Sequence, residues 1–222
     1  MQSSFLNILM VDSSQRQPKE EIKLLILWQN KNSIMELLLS ICLGIGLSAA
    51  CGFRVFVPFL IMSIASLTGH LALSPNFQWI GTYPAVVSFA VASVLEIAGY
   101  YVAWLDNLLD TIATPAAIIA GTIAMASIAI DMSPFLKWTL AIIAGGGTAA
   151  IFQGKTMLVR GASTATTGGA GNFAIATAEA GISTLLSLFA LFLPLLTGIL
   201  IVAAIFFLLR KVFKWHLQKR LN

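Results

Sequence analysis

The sequence predicts an all-α protein, a polytopic transmembrane bundle of about six membrane helices, some of them short, broken or kinked. Three observations carry that prediction. First, 58% of the 222 residues are hydrophobic and 10% are charged, against about 25% charged in a soluble domain. Second, Leu37–Phe53, Val55–Leu95, Thr111–Ile130, Trp138–Gly154 and Ala180–Leu209 contain no Asp, Glu, Lys or Arg. A bilayer core of about 30 Å needs roughly 20 apolar residues of helix, so each run supplies a span or nearly one. Third, Trp79, Tyr83, Trp104, Trp138 and Trp215 fall near the ends of these runs, where interfacial aromatics belong.

The net charge of +4 is not a nucleic-acid signal. Lys19, Lys23 and Lys31 precede the first run, and Arg210, Lys211, Lys214, Lys219 and Arg220 follow the last. Such flanks mark cytoplasmic ends, so both termini are expected inside, with an even number of spans. Residues 1–33 read as a weakly ordered or interfacial cytoplasmic extension, 34–213 as the transmembrane domain and 214–222 as a basic cytoplasmic tail. Phe5–Val11 and Leu24–Trp28 are too short to span, and the order of a signal peptide is missing.

Ser33 and Glu36 form a capping-box pattern that opens the first helix at Ile34. It runs to Ala50, with Gly44, Gly46, Ser48, Ala49 and Ala50 giving a small-residue face for close packing. A short helix follows from Val55 to Leu67, and residues 68–82 read as an interfacial loop. The third helix is Pro84–Trp104, and Asp106–Asp110 is an acidic connector. Pro115 opens the fourth helix, which ends at Ile130 before the Asp131–Pro134 turn. The fifth runs from Lys137 to about Arg160. Gly161–Asn172 is rich in Gly, Ser, Thr and Ala. The last segment, Phe173–Phe213, is too long for one straight span, so Pro194 is expected to kink it or the helix to tilt.

The charges inside these runs are the candidate functional residues, because an ionisable group at membrane depth costs at least about 2.5–3.5 kcal/mol and usually pairs or lines water. Arg54 reads either as a turn residue reaching for the interface or as a partner for an anion or carboxylate. Glu96, with apolar neighbours on both sides, is either salt-bridged to Arg54, Lys155 or Arg160, or a proton- or cation-binding carboxylate. Glu179 repeats the theme. Arg54 and Arg160 fall toward the non-cytoplasmic side of a six-span count, against the positive-inside tendency. Partners must hold them there, or the helices around Arg54 form a re-entrant hairpin.

Asp106 and Asp110, four apart, share a face of a helical turn and are a candidate site for a hard cation. A solvated loop with helix-start charges explains them equally. Ser163, Thr164, Thr166, Thr167, Gly168, Gly169 and Asn172 form a candidate anion-binding or pore-lining loop, since irregular backbone at membrane depth must find partners in protein or a wet cavity. Lys155 and Arg160 just precede it.

Catalytic signatures are missing. Ala149–Thr156 fits a relaxed phosphate-loop pattern, but it ends an apolar helix and lacks the strand such a loop follows. Cys42 and Cys51 read as small buried hydrophobes. His70 and His216 are far apart, so neither a cofactor nor a metal site is expected. The expected partners are the lipid bilayer, a small ion or solute, and a second copy or another membrane protein at the Gly/Ala faces. No nucleic-acid partner is expected.

Met35–Leu60, Glu96 with Asp106 and Asp110, and Arg160–Asn172 together resemble a family of prokaryotic integral membrane proteins catalogued as a domain of unknown function, numbered four-one-two-six. The resemblance covers about residues 35–210. It implies a membrane domain starting near Met35, in a prokaryotic plasma membrane or an internal membrane such as a thylakoid, and brings no activity or catalytic residues with it. From the residues themselves, the leading expectation is passage of a small ion or solute. The alternative is a non-catalytic scaffold or assembly factor that binds other membrane proteins.

Overall fold

A computed structural model describes the backbone of residues 18–130 and 132–221, and their side chains except 18–22, 24–26, 28, 30–32, 103–108, 110, 212 and 215–221. The expectations for residues 1–17, and for the side chains of Lys19, Lys31, Trp104, Trp215 and His216, lie outside the described residues. One compact unit ends at Leu38 and a second begins at Leu39. In the first, the described residues open helix α1 (Pro18–Cys51). The helix therefore starts well before the expected Ile34. Pro18 suits a first turn, and the Lys, Glu, Leu and Ile residues after it are helix formers, so Ser33 and Glu36 lie inside a continuous helix.

The second unit is all helix among the described residues: the end of α1, α2 (Phe56–Leu67), a 3-10 turn (Pro75–Gly81), α3 (Tyr83–Gly99), α4 (Ala103–Ile128), α5 (Pro134–Leu140), a π turn (Ala141–Gly146), α6 (Gly147–Thr167), α7 (Asn172–Phe192) and α8 (Pro194–Leu221). Ser33–Cys51, Thr111–Ile128, Pro134–Thr167, Asn172–Phe192 and Pro194–Lys211 are each long and apolar enough to cross a membrane. The 3-10 turn and α3, bent by 67° at their junction, make a sixth candidate. This is the polytopic bundle that the composition predicts. Its outward surface carries Val94, Leu95, Leu158, Phe192, Ile199 and Phe207 exposed, which suits lipid rather than water.

Close contacts fix how the helices run. Ser48 Oγ donates to the Gly121 carbonyl at 2.8 Å, and a side chain at Gly44 would strike Met125, so α4 is antiparallel to α1. Ser183 Oγ donates to the Ala50 carbonyl at 3.0 Å, while Gly46 abuts Ala190, so α7 is antiparallel to α1 as well. Gly46 also abuts Thr197, and Leu186 and Ile201 pack in one cluster with Ala49. Helix α8 therefore folds back along α7 and runs parallel to α1.

This corrects one expectation. Residues 173–213 are two antiparallel helices, not one kinked or tilted span. Pro194 has no N–H to continue the helix, and Leu193, at φ −133° and ψ 59°, turns the chain. The bent α3 unit, α4, the α5–α6 rod, α7 and α8 follow one another in alternating directions. The acidic connector also differs. Residues 106–110 are helical, because α4 starts at Ala103 and passes through Pro115 without stopping. Proline inside a membrane helix is tolerated where neighbours satisfy the freed backbone.

The end of α1 and α2 form a hairpin that closes inside the bundle. The turn is tight, with the N–H groups of Phe53 and Arg54 donating to the Ala50 carbonyl at 3.0 and 3.1 Å. Helix α2 returns to the Pro194 end, where Thr68 and His70 line a groove with Leu188, Leu191 and Phe192. There Ser74 N–H donates to the Ser127 carbonyl at 2.7 Å, and Lys137 Nζ donates to Ser74 Oγ. With its 12 residues, α2 rises about 18 Å against about 31 Å for α7. The hairpin tip, Gly52–Val55, is therefore on the order of 10 Å short of the Thr167–Asn172 end.

Small residues make the close approach. Any side chain at Gly121 would come within 2.9 Å of the Gly145 carbonyl, and one at Gly145 within 2.5 Å of the Gly121 carbonyl. Gly154, also helical, has nothing within 4 Å of the place a Cβ would take. We expect Gly145→Val to destabilise the detergent-solubilised protein by about 1–3 kcal/mol through overpacking. Gly154→Ala should be neutral or stabilise it by up to about 1 kcal/mol. Thermal unfolding of the two variants beside the parent checks both. The chain course makes a second prediction. In a protein lacking Cys42 and Cys51, cysteines introduced at Thr166 and Lys214 should react with an impermeant maleimide from one face of the membrane, and a cysteine at His70 from the other.

Candidate functional site

The hairpin turn delivers Arg54 to the interior, where 1% of it is exposed. Its Nη2 donates to the Ala176 carbonyl at 2.9 Å and to Glu179 Oε2 at 3.3 Å. Arg160, on α6 and 2% exposed, reaches the same carboxylate: Nε lies 3.1 Å from Oε1 and 3.2 Å from Oε2, and Nη2 donates to Oε2 at 2.5 Å. Glu179, on the buried face of α7, thus bridges two guanidinium groups. Tyr100, at the end of α3, lies against both, with its ring centroid 3.9 Å from Arg54 Cζ and 4.2 Å from Arg160 Cζ. A desolvated guanidinium over an aromatic face gains about 2 kcal/mol or more, so Tyr100 supports both charges without neutralising either.

Glu96 does different work. Its Oε1 accepts the Val55 N–H at 2.7 Å and its Oε2 accepts the Phe56 N–H at 3.0 Å. These are the amides that open α2, and a carboxylate there satisfies orphan donors and complements the helix dipole. Glu96 therefore fastens the hairpin tip to α3 through the backbone. Of the partners the sequence offers it, none of Arg54, Lys155 and Arg160 hydrogen-bonds it among the described residues. Ser93 and Tyr100, at i−3 and i+4, share its helix face.

Two donors on Arg54 remain. Nε and Nη1 are buried and have no hydrogen-bond partner among the described residues. Ser93 Oγ is in the same condition. A buried unmet donor costs about 1–3 kcal/mol, more on a charged group.

Lys155 does not join this cluster. It is exposed on the outer face of α6, because five residues from Arg160 is about 500° of helical turn, which puts the two roughly 140° apart. The glycine and hydroxyl-rich segment is also more regular than a pore loop. Ser163, Thr164, Thr166 and Thr167 are helical, and the Thr166 and Thr167 hydroxyls donate back to the Ala162 and Ser163 carbonyls at 2.9 and 2.8 Å. Gly168 and Gly169, at φ 63° and 92°, supply the left-handed stop that glycine permits. Gly171 N–H then donates to Thr167 Oγ1, and Asn172 Nδ2 donates to Thr164 Oγ1, both at 3.0 Å. The hydroxyls of this segment thus bind a tight turn between α6 and α7. The side chains of Asp106 and Asp110, and with them the candidate cation site, lie outside the described residues.

No group of three or more His, Cys, Asp or Glu side chains that could hold a metal occurs among the described residues. The relaxed phosphate-loop pattern at Ala149–Thr156 lies within the continuous helix α6. Its amides are therefore committed to the helix and cannot cradle a phosphate.

Membrane-length apolar helices around a buried ionic cluster define an integral membrane protein of the polytopic helical class. More particularly, the chain belongs to the family described as domain of unknown function 4126 (DUF4126), whose model matches residues 41–214. No curated protein and no solved structure matches it.

The cluster makes a graded prediction. Glu179→Ala leaves two buried guanidiniums without their carboxylate and should destabilise the protein by about 3–5 kcal/mol. Glu96→Gln keeps an acceptor for one of the two α2 amides and should cost about 1 kcal/mol. Lys155→Ala, away from the cluster, should change stability by less than about 0.5 kcal/mol. Equilibrium unfolding in mild detergent ranks the three.

Proposed function

We propose that this protein passes a small ion or solute across its membrane, with the hairpin tip as the point where the permeant species is bound. The observation that supports this is two buried arginines sharing one glutamate well inside the bundle. Burying each ion costs several kcal/mol, and packing apolar residues of similar volume in place of an ion pair is often neutral or stabilising. A bundle that only had to hold its shape would do as well without these charges. Hairpins that end within a membrane also bring backbone and charge to a depth where a permeating species has shed most of its water.

In this reading Arg54 and Arg160 attract the species, Glu179 and Tyr100 hold the two bases in place, and Glu96 fixes the tip. The face bearing Arg210, Lys211 and Lys214 is the cytoplasmic one, since it carries more basic residues, and the membrane is a prokaryotic plasma membrane or an internal one. The alternative is a scaffold that binds other membrane proteins. It draws on one feature, that every carboxylate oxygen of Glu96 and Glu179 already has a donor inside the chain.

Current from proteoliposomes on a solid-supported membrane separates the two. With gradients of proton, Na⁺, K⁺, Mg²⁺ and a set of anions, the parent protein should carry current under at least one gradient. A folded Glu179→Gln variant should carry at least about tenfold less, the loss of about 1.4 kcal/mol of binding or barrier stabilisation. Silence from folded parent protein under every gradient favours the scaffold.

A further inference from the structure

We infer that the hairpin tip is an anion site, and that the species it takes is a small inorganic anion of halide size, held by a free N–H of Arg54 at Nε or at Nη1. This rests on the reading of the tip as the binding point and names what binds there. On the acceptor side, both oxygens of Glu179 are engaged by Arg160, and Oε2 by Arg54 as well. Both oxygens of Glu96 are engaged by the Val55 and Phe56 amides. On the donor side, Arg54 Nε and Nη1 are buried with no acceptor among the described residues. The cluster therefore has two buried donors without an acceptor, while each carboxylate oxygen already has a donor. That imbalance suits an anion.

Position strengthens the case. Arg54 is two residues before Phe56, where α2 begins, and α2 runs 12 residues away from it. Glu96 caps that helix end, so the charge offered to an anion at the tip is that of the guanidinium. The 1% exposure of Arg54 keeps bulk water from screening that charge.

Geometry narrows the anion. In a guanidinium the N–H of Nε shares its edge with Nη2, and Nη2 is already occupied by Ala176 and Glu179. Nη1 points from other edges of the plane. The free donors thus do not form the parallel fork that grips a planar carboxylate or a phosphate with two bonds. A spherical anion needs no such fork. It is held at one of these two donors, and its charge is met by the guanidinium.

Two measurements test this on the full-length protein. The first is diffraction from crystals of the parent protein grown in sodium bromide, with anomalous data at the bromine edge. A bromide peak within hydrogen-bond reach of Arg54 Nε or Nη1 is expected. A tip without bromide, with waters on those two nitrogens, overturns the inference. The second is chloride efflux from proteoliposomes, followed by a halide-quenched dye, for the parent, Arg54→Lys and Arg54→Gln. The parent should pass chloride, and Arg54→Lys should keep part of that rate. Arg54→Gln should lose at least tenfold. Equal rates in folded Arg54→Gln and parent overturn the inference. If Arg54→Gln does not fold, the bromide result decides alone.

The same pair of experiments separates this inference from the reading it rests on. Cation-driven current with no bromide at the tip removes the anion site and leaves passage standing. Bromide on Arg54 with no flux of any ion removes passage and leaves the anion site standing.

Discussion

The structure depends on one carboxylate. Glu179 lies on α7 between the guanidiniums of Arg54 and Arg160, and without it two positive charges face each other in a medium that solvates neither. At low dielectric the energies involved are several-fold larger than at a water-exposed surface. The bridging carboxylate ties together three segments that are far apart in sequence: the hairpin tip, α6 and α7. Tyr100 brings in a fourth by lying against both guanidiniums, and Glu96 on the same helix takes the α2 amides. The cluster explains why a hairpin can stop inside the bundle. Its open backbone groups and its charge are met there by side chains from α3, α6 and α7.

Around this center, small residues let the helices come close enough for such short bonds. Gly121 and Gly145 bring α4 against the π turn, and Gly52 brings the hairpin tip against Phe152 and Ala149. The apolar side chains between them form the dry walls. Polar residues in those walls are met locally. Ser48 and Ser183 donate to carbonyls of facing helices, and Ser187 and Thr197 donate to their own preceding turns. Among the described residues, Arg54 Nε and Nη1 and Ser93 Oγ depart from that pattern.

Much of this was legible in the sequence, and the reasons are physical. The membrane class follows from charge-free runs longer than a soluble core could bury. Arg54, Arg160 and Glu179 are conspicuous because charge at membrane depth is costly whatever its partner. Which charges meet is another matter. Glu96 reads as a partner of Arg54, Lys155 or Arg160 or as a proton- or cation-binding carboxylate, because pairing is set by the register between helices, and that register comes from glycine contacts spread over the whole bundle. Lys155 looked equivalent to Arg160 because both lie near the same helix end, yet helical rotation puts them on different faces. Tyr100 gave no signal, since an aromatic at a helix end reads as an interfacial anchor. The reversal at Leu193–Pro194 was invisible for a related reason. Its flanks are as apolar as the helices, so no change in composition marks the turn, and proline alone does not distinguish a kink from a hairpin.

The central claim is that Arg54 is held at depth by Glu179, and a double-mutant cycle on Arg54→Ala and Glu179→Ala tests it most directly. Unfolding free energies would be measured for the parent, both single variants and the double variant in one detergent. If the two groups are joined as described, the double variant should be less destabilised than the sum of the singles by about 2 kcal/mol or more. Additivity to within about 0.5 kcal/mol, the behaviour of distant and independent sites, would contradict the account.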